Sequence, residues 1–368
     1  MMVRKREDEV LDIIKADPLI SQKEIAEKLG ITRSSVGVHV NNLTKKGKII
    51  GRGYVLSKVN KVCVIGGSNI DVWGFSDGPL KKGSSNIGDV NISVGGVSRN
   101  IAESLTKLGI QTEFITAISN DEYGKHIYSY CLKEGVRIDR ANIFKNQRTS
   151  FFLSIVDKET HEKYAVADMS IMDQITPAHI NQRRAEINNC NLIVLDLNTP
   201  KNTVEFILSN FKNKLIMIDP VSVSKVEKIE KLLDLVKFIK LNRVELQELS
   251  GMPVDTPEDV KKAAKSLIEK GIKEIVVSND FNAICYASKD DYFRLESKHK
   301  EIESKEVEFK QGIREAQFAG LVYGKFNNLT VEESLNIAMK AGELTAETDE
   351  LVSPWLSVEN IYERLENE

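Results

Sequence analysis

The sequence predicts a doubly wound, mostly parallel α/β domain over residues 61–368, preceded by a small three-helix head over residues 1–58. Three observations carry this reading. From Lys61 onward, short β-like runs alternate with amphipathic helical stretches, the pattern of parallel strands joined by crossover helices. The first 58 residues instead hold helical segments separated by capping signals and a glycine. Charge divides at the same place: residues 1–58 carry 12 Lys or Arg against 7 Asp or Glu, while the chain as a whole has net charge -3, so the remainder is acidic. A basic head on an acidic body points to two different kinds of partner.

In the head, Val10, Leu11, Ile13 and Ile14 form an apolar helical stripe that Pro18 closes. Ser21 and Glu24 have capping-box spacing before a second helix over 23–29. Gly30 suits a left-handed C-cap, and Thr32 caps a third helix running from Arg33 through Val36, Val40 and Leu43. After Lys45-Lys46-Gly47-Lys48, alternation over 49–56 predicts a β-hairpin. The segment resembles bacterial winged helix-turn-helix regulators. Arg33, Ser34, Ser35 and His39 line the part of the third helix that would read base edges, while Lys45, Lys46, Lys48 and Arg52 would meet phosphates. DNA is therefore the expected partner, although winged helices also serve in protein association. A homodimer reading two half-sites is the natural extension.

Hydrophobic content of 41% and charged content of 29% are those of a globular protein with a sizeable core. No apolar run approaches the roughly 18 residues of a membrane span, and the N-terminus passes into charge and not into a signal-peptide core. The expectation is a cytoplasmic protein with no membrane partner. Cys63, Cys131, Cys190 and Cys285 lie far apart without zinc-ligand spacing, so buried free thiols are expected.

In the large domain, strands are expected at 61–65, 151–156, 192–197, 215–218, 238–241 and 274–277, with helices at 101–108, 203–210, 228–235 and 260–270. Ligands of such sheets bind at the carboxyl ends of the strands, so the residues following each strand carry the most information. Gly66-Gly67-Ser68-Asn69-Ile70-Asp71 places a carboxylate able to accept hydroxyl hydrogen bonds just beyond the first strand. In Gly95-Gly96-Val97-Ser98-Arg99-Asn100, paired glycines allow close backbone approach to a ligand at the start of a helix. Asn242-Arg243-Val244-Glu245 puts Asn242 and Glu245 on one face of a helix start.

Over 61 to about 354, these motifs resemble the PfkB, or ribokinase, family of carbohydrate kinases, and within it the pseudouridine kinase branch. The resemblance implies ATP and Mg2+ as cofactors and a nucleoside or sugar as ligand. It implies Asn69, Asp71, Gly95, Gly96, Asn100, Asp168 and Asn198 as ligand contacts, Asp168 on or near a small β lid and Asn198, with Asp196, after a strand. Asn242 and Glu245 would serve the phosphate and magnesium-water network, Glu245 on the metal side, with Ser278 and Asp280 in the nucleotide-side turn. Asn120-Asp121-Glu122-Tyr123-Gly124 reads as a structural turn. Asp219 to Lys225 resembles the branch, although cap and turn chemistry also explains it. Lids of related kinases often pair subunits.

The pattern breaks at Gly312-Ile313-Arg314-Glu315-Ala316-Gln317, where the family carries Gly-Ala-Gly-Asp-Ala-Phe. The family's second glycine, whose bare backbone approaches the transferring phosphate, is Arg314 here, and its aspartate base is Glu315. Gly312, Arg314 and Glu315 are thus the candidate catalytic set, in altered form. The expectation is a ligand-responsive transcriptional regulator with impaired phosphoryl transfer. The alternative is a kinase acting on a primary hydroxyl, with Glu315 as base and Gly312 and Arg314 around the phosphate.

Overall fold

In a computed structural model of the protein, the described residues are 6–49, 60–139, 141–160, 162–280, 283–296 and 312–367. They divide into a unit ending at Val59 and a second beginning at Asn60.

The head consists of α1 (Arg6–Ala16), α2 (Gln22–Leu29) and α3 (Arg33–Lys45). The capping box before α2 forms: Ser21 Oγ accepts the Glu24 N–H at 3.2 Å, and the Glu24 carboxylate accepts the Ser21 N–H at 2.8 Å. Gly30 ends α2 at φ 63°, and Thr32 Oγ1 accepts the Ser35 N–H at 3.1 Å. These caps fix the turn between α2 and α3, whose apolar faces join α1 around Val10, Ile14, Ile25, Val36 and Leu43. Beyond Ile49, the expected hairpin lies outside the described residues, as does Arg52.

The second unit is built on strands β1 (Lys61–Ile65), β2 (Asn69–Ser76), β3 (Gly88–Gly95), β4 (Gln111–Ile115), β5 (Ala117–Ser119), β6 (Asn142–Phe144), β7 (Phe151–Asp157), β8 (Lys163–Asp168), β9 (Leu192–Asp196), β10 (Leu215–Asp219), β11 (Phe238–Asn242), β12 (Glu274–Asp280), β13 (Ala283–Ser288) and β14 (Tyr292–Glu296). An eight-stranded sheet runs in the order β14-β13-β12-β11-β10-β9-β1-β4, parallel except that β13 is antiparallel to both of its neighbours. Period-two alternation sends Val62, Val64, Leu192 and Val194 into one core, and Cys63, Ile65, Ile193 and Leu195 into the other. Burial on both faces explains why these strands read as continuous apolar runs. Strand order reverses between β1 and β9, which opens a crevice at their carboxyl ends.

Helix α4 (Val97–Lys107) follows β3 and lines that crevice with its first turn. Arg99 is 1% exposed, hydrogen-bonds Glu103 and the Val94 carbonyl, and lies over the Tyr130 ring at 5.2 Å. The remaining helices are α5 (Glu122–Lys133), α6 (Pro177–Gln182), α7 (Arg184–Asn188), α8 (Lys201–Asn210), α9 (Arg243–Ser250), α10 (Pro257–Glu269), α11 (Ile313–Phe326), α12 (Val331–Ala346) and α13 (Val358–Glu366). Asp121 caps α5, accepting the Gly124 N–H at 2.7 Å and the Thr149 N–H at 2.9 Å, so the 120–124 turn is architectural as expected.

The helix expected over 228–235 does not form. Two 3₁₀ turns, Val223–Lys228 and Leu233–Leu235, take its place. The apolar spacing is helical, but Lys228 is tied to the Leu197 and Thr199 carbonyls at 2.6 and 2.9 Å. Residues 229–237, which lead on to β11, run through i to i+3 bonds instead.

A second sheet, β3-β2-β7-β8, is the small lid. Asn69, Asp71 and Trp73 share one of its faces. The other presents Val90, Ile92, Tyr164 and Val166, each at least 60% exposed.

Truncating the partner of buried Arg99 strands a charge in the core. Glu103→Ala is expected to lower the stability of this unit by about 3 to 5 kcal/mol, measured by urea unfolding.

Candidate functional site

The crevice is organised by Asp196, which is fully buried at the end of β9. Its carboxylate accepts the Gly67 N–H at 2.8 Å and the Asn198 N–H at 2.9 Å, and the nearby Ser98 hydroxyl, which helps to hold its charged form, donates to the Ile65 carbonyl at 3.4 Å. Burial pushes this carboxyl above its ordinary range, against the pull of those donors. The bonds tie together the ends of β1, β9 and the start of α4. A Cβ on Gly66 would collide with Asp196 and Ser98, which explains the glycine there. Asp196 is therefore a scaffold group, and Asn198 links it to the rest of the crevice, donating from Nδ2 to Asp196 at 3.4 Å.

Asp71 is 6% exposed and accepts a hydrogen bond from Asn69. A Cβ on Gly95 would collide with the Asp71 carboxylate, and Gly96 is held at φ 105° against Ser68. The paired glycines thus make room for the acid. Burial raises the Asp71 carboxyl to about 6, while Asn69, Arg99 and Lys163 pull down and Glu315 pushes up. The influence of Glu315 connects the first motif of the domain with the last. Asn100 is 5% exposed, and its Oδ1 is buried without a partner.

Asn198 Oδ1 accepts Lys225 Nζ at 2.7 Å. Burial lowers the Lys225 ammonium, and Asp196 and Asp219 oppose that shift. Lys225 comes from the 219–225 segment, so that segment contributes a cation to the crevice as well as a turn. Val221 there adopts φ 69°, a costly conformation for a β-branched residue, with its N–H held by Asp219 at 2.8 Å. The other Asp219 oxygen lies 3.3 Å from Lys240 Nζ, which is 0% exposed.

Asp168 does not join this cluster. It pairs with Phe151, on the lid face opposite Asp71, and its Oδ1 accepts the Ser170 N–H at 3.1 Å and hydroxyl at 2.7 Å. Those bonds lower its carboxyl. It caps a turn, and its neighbour Met169 approaches Gly67 instead.

At the opposite end of the crevice, α11 starts from Gly312 at φ 83°, where a Cβ would collide with the Leu351 carbonyl. No side chain caps this helix, and its first turn carries Arg314 and Glu315. Arg314 Nη2 lies 2.9 and 3.1 Å from the two oxygens of Glu245, which is 0% exposed. Glu245 also accepts the Asn242 N–H at 2.8 Å, and Asn242 Oδ1 accepts the Glu245 N–H at 2.7 Å, capping α9. Burial works against the Arg314 charge, but Glu245, Asp219 and Glu315 more than offset it. For Glu315, burial raises the carboxyl and Arg314 lowers it, with Asp219 raising and Lys240 lowering.

Ser278 is 0% exposed, pairs in register with Asn242, and has a hydroxyl without a partner. That hydroxyl and the uncapped first turn of α11 suit phosphate oxygens. The side chain of Asp280 lies outside the described residues. A divalent cation fits poorly: Glu245, expected on the metal side, is the acid of an ion pair. Among the described residues, no group of three or more His, Cys, Asp or Glu could hold a metal.

In the head, Arg33, Ser34, Lys45 and Lys48 are exposed and His39 is half-buried. The Ser34 and Ser35 hydroxyls lie 2.9 and 2.8 Å from Thr32 Oγ1, so they support the cap. Lys46 pairs with Glu7 at 2.6 Å. Val38, 59% exposed, and Asn41 share the outer face of α3 with Ser34. Both escaped the sequence reading, although the spacing 34, 38, 41 is helical. Lys240 also escaped it; a lone charge within the apolar run 238–241 was the available signal.

Comparison with known proteins places both units. Residues 59–302 match the pfkB family carbohydrate kinase model, and residues 7–50 match a winged helix-turn-helix DNA-binding model. The uncharacterized sugar kinase YeiI of Escherichia coli K12 is 28% identical across 97% of this chain and 98% of its own length. The pseudouridine kinase of the same organism is 30% identical across 83% of this chain and 96% of its own length. Arabidopsis thaliana ribokinase, solved with ribose and ATP, superposes with TM-score 0.70 at 18% identity, covering 83% of this chain and 99% of that one, which supports the fold.

Burial raises the Asp71 carboxyl to about 6, and once protonated it turns one oxygen into a donor and accepts hydroxyl hydrogen bonds more weakly than the carboxylate does. Titration calorimetry with ribose and with a ribonucleoside is expected to show constant affinity above about pH 6 and a progressive loss below it, at most about tenfold per unit. Asp71→Asn should bind weakly with no such pH dependence.

Proposed function

Because the chain belongs to the pfkB family of carbohydrate kinases and joins that domain to a winged helix-turn-helix, we propose that it is a ligand-responsive transcriptional regulator with impaired phosphoryl transfer. One observation carries this reading: Arg314 engages both oxygens of Glu245, while the glycine-lined cradle around Asp71 is intact. In the family's phosphoryl-transfer turn, backbone must lie against phosphate, and a β-carbon with a long side chain now occupies that turn.

The ligand is a nucleoside, pseudouridine among them, or a pentose. Asp71 and Asn69 take its hydroxyls, the backbone at Gly95 and Gly96 lies close to the ring, and Asn100 and Asn198 bond its edge. Since Asp71 stands on the lid, a ligand that prefers the closed lid shifts the balance between two conformations, and the head's affinity for DNA follows. In the cytoplasm, α3 presents Arg33 and its outer face to base edges, and Lys45 and Lys48 meet phosphates. The exposed apolar lid face, with Val90, Ile92, Tyr164 and Val166, suits a second copy of the chain, and pairing would supply two heads for two half-sites.

A second reading, a kinase acting on a primary hydroxyl, draws on Glu315. It is a carboxylate on the first turn of α11, electrostatically in touch with Asp71, and burial raises its affinity for a proton. In that reading ATP supplies the phosphoryl group and Glu315 takes the hydroxyl proton. Its extra methylene displaces that base, and misplacement near 1 Å costs on the order of 10²-fold in rate.

Fluorescence anisotropy on DNA upstream of the chain's own gene tests the regulator. Binding should weaken with salt and change with one nucleoside or pentose, and Lys48→Ala should lower the magnitude of the salt slope by about 1. Absence of binding at low salt would defeat the proposal. ADP release from ATP, Mg2+ and a nucleoside panel separates the two readings. Turnover at about 1 s⁻¹ or faster, the ordinary kinase range, favours the kinase. The double change Arg314→Gly with Glu315→Asp is expected to raise turnover above that of the unmodified chain.

A further inference from the structure

The geometry points to Arg314 as a built-in cation that replaces a divalent metal, so that a phosphate-bearing ligand, such as a nucleoside diphosphate, is held at the start of α11 without Mg2+. This deepens the reading of the domain as a ligand site with impaired transfer and rests on it.

The argument begins with charge. Glu245 is 0% exposed, and its two oxygens lie 2.9 and 3.1 Å from one nitrogen of Arg314. Oε2 additionally takes the Asn242 N–H at 2.8 Å. A cation approaching Glu245, directly or through water, would find the charge already neutralised and a guanidinium in its path, and like charges at such separations repel strongly away from bulk water. Metal and arginine are therefore alternatives at this carboxylate.

The arginine also keeps capacity for an anion. Both of its bonds to Glu245 come from Nη2, while Nε is buried without a partner. Its side chain as a whole retains 29% exposure, while Nε itself is sealed from solvent, so a phosphate must displace a neighbouring group to reach that nitrogen. Planar guanidinium groups match phosphate oxygens with paired donors. Two independent features lie beside it. The N-cap of the 14-residue helix α11, Gly312, supplies no side-chain cap, and although Glu315 turns its carboxylate onto its own N–H, the other first-turn N–H groups are left for an anion. Ser278, in register with Asn242 on the adjoining strand, carries a hydroxyl that is wholly buried and unpartnered. A phosphate at Arg314 would meet donors of three kinds with no metal between them.

Titration calorimetry of full-length protein with ADP, in EDTA and in Mg2+, tests this directly. The unmodified chain is expected to bind with affinities that agree within about threefold, and Arg314→Gln to lose about tenfold or more in EDTA. Arg314→Gly, which frees Glu245, should make binding depend on Mg2+, and a thermal melt of each variant establishes that it is folded. The inference is overturned if the unmodified chain loses about tenfold or more in EDTA, if neither ADP nor inorganic phosphate binds in either buffer, or if folded Arg314→Gln binds like the unmodified chain. The outcomes separate from the regulator reading: Mg2+-dependent ADP binding without turnover sinks the built-in cation and leaves regulation standing, whereas metal-free ADP binding with DNA affinity indifferent to every ligand does the reverse.

Discussion

The ligand domain depends on one buried carboxylate. Asp196 is inaccessible to water, yet it accepts hydrogen bonds from Gly67 and Asn198 and so joins the ends of β1 and β9, while Ser98 on the first turn of α4 bonds the end of β1 at the Ile65 carbonyl. An acid in such a place is tolerable only when its lone pairs are satisfied, and backbone N–H groups are the donors least able to move away. The consequences spread outward. Gly66 and Gly67 must lack side chains to admit their neighbours, Asn198 is turned towards Lys225, and the chain leaving Gly67 enters the lid strand bearing Asn69 and Asp71. The cradle is shaped before any ligand arrives.

A second set of charges runs along the same edge of the sheet. Lys240 and Asp219 form a fully buried pair, and both act on Glu315. Arg314, the neighbour of Glu315, reaches Glu245, whose own backbone is capped by Asn242. Burial makes each of these groups costly alone and the set stable only as a whole. The departures at Arg314 and Glu315 are therefore not isolated scars on a loop. They are integrated into the network that elsewhere in the family would face metal and phosphate, which is the physical basis for reading this chain as a binder first.

Much of this was legible in the linear chain. Apolar runs alternating with amphipathic helices required a doubly wound sheet, because strands covered on both faces have no polar side to show. The capping residues Ser21 and Thr32 announced their helices, since each needs only a backbone N–H two or three positions ahead, whereas the caps formed by Asp121 and Asn242 emerged only in the fold. The glycines flanking Asp71 and the altered turn at 312–317 were likewise visible as residue types at fixed spacing. Local rules failed at 228–235, where Lys228 is anchored to two carbonyls and 3₁₀ turns stand in place of the helix that the apolar period suggested.

What only tertiary structure decided is which charges meet. Glu245 and Arg314 are separated by 69 residues, Asn198 and Lys225 by 27, and Asp219 and Lys240 by 21. Nothing in the order of the residues distinguishes a carboxylate that will coordinate a cation from one already satisfied by an arginine. Strand order and register make that choice, by bringing the ends of β9, β10 and β11 beside the first turn of a helix from far along the chain. The same folding sent Asp168 to the wrong face of the lid for ligand contact, because a strand turns successive side chains to opposite sides and pairing with Phe151 fixed its parity. Sequence determined the parts and the chemistry available to them; three-dimensional pairing determined which of those groups remain free to act.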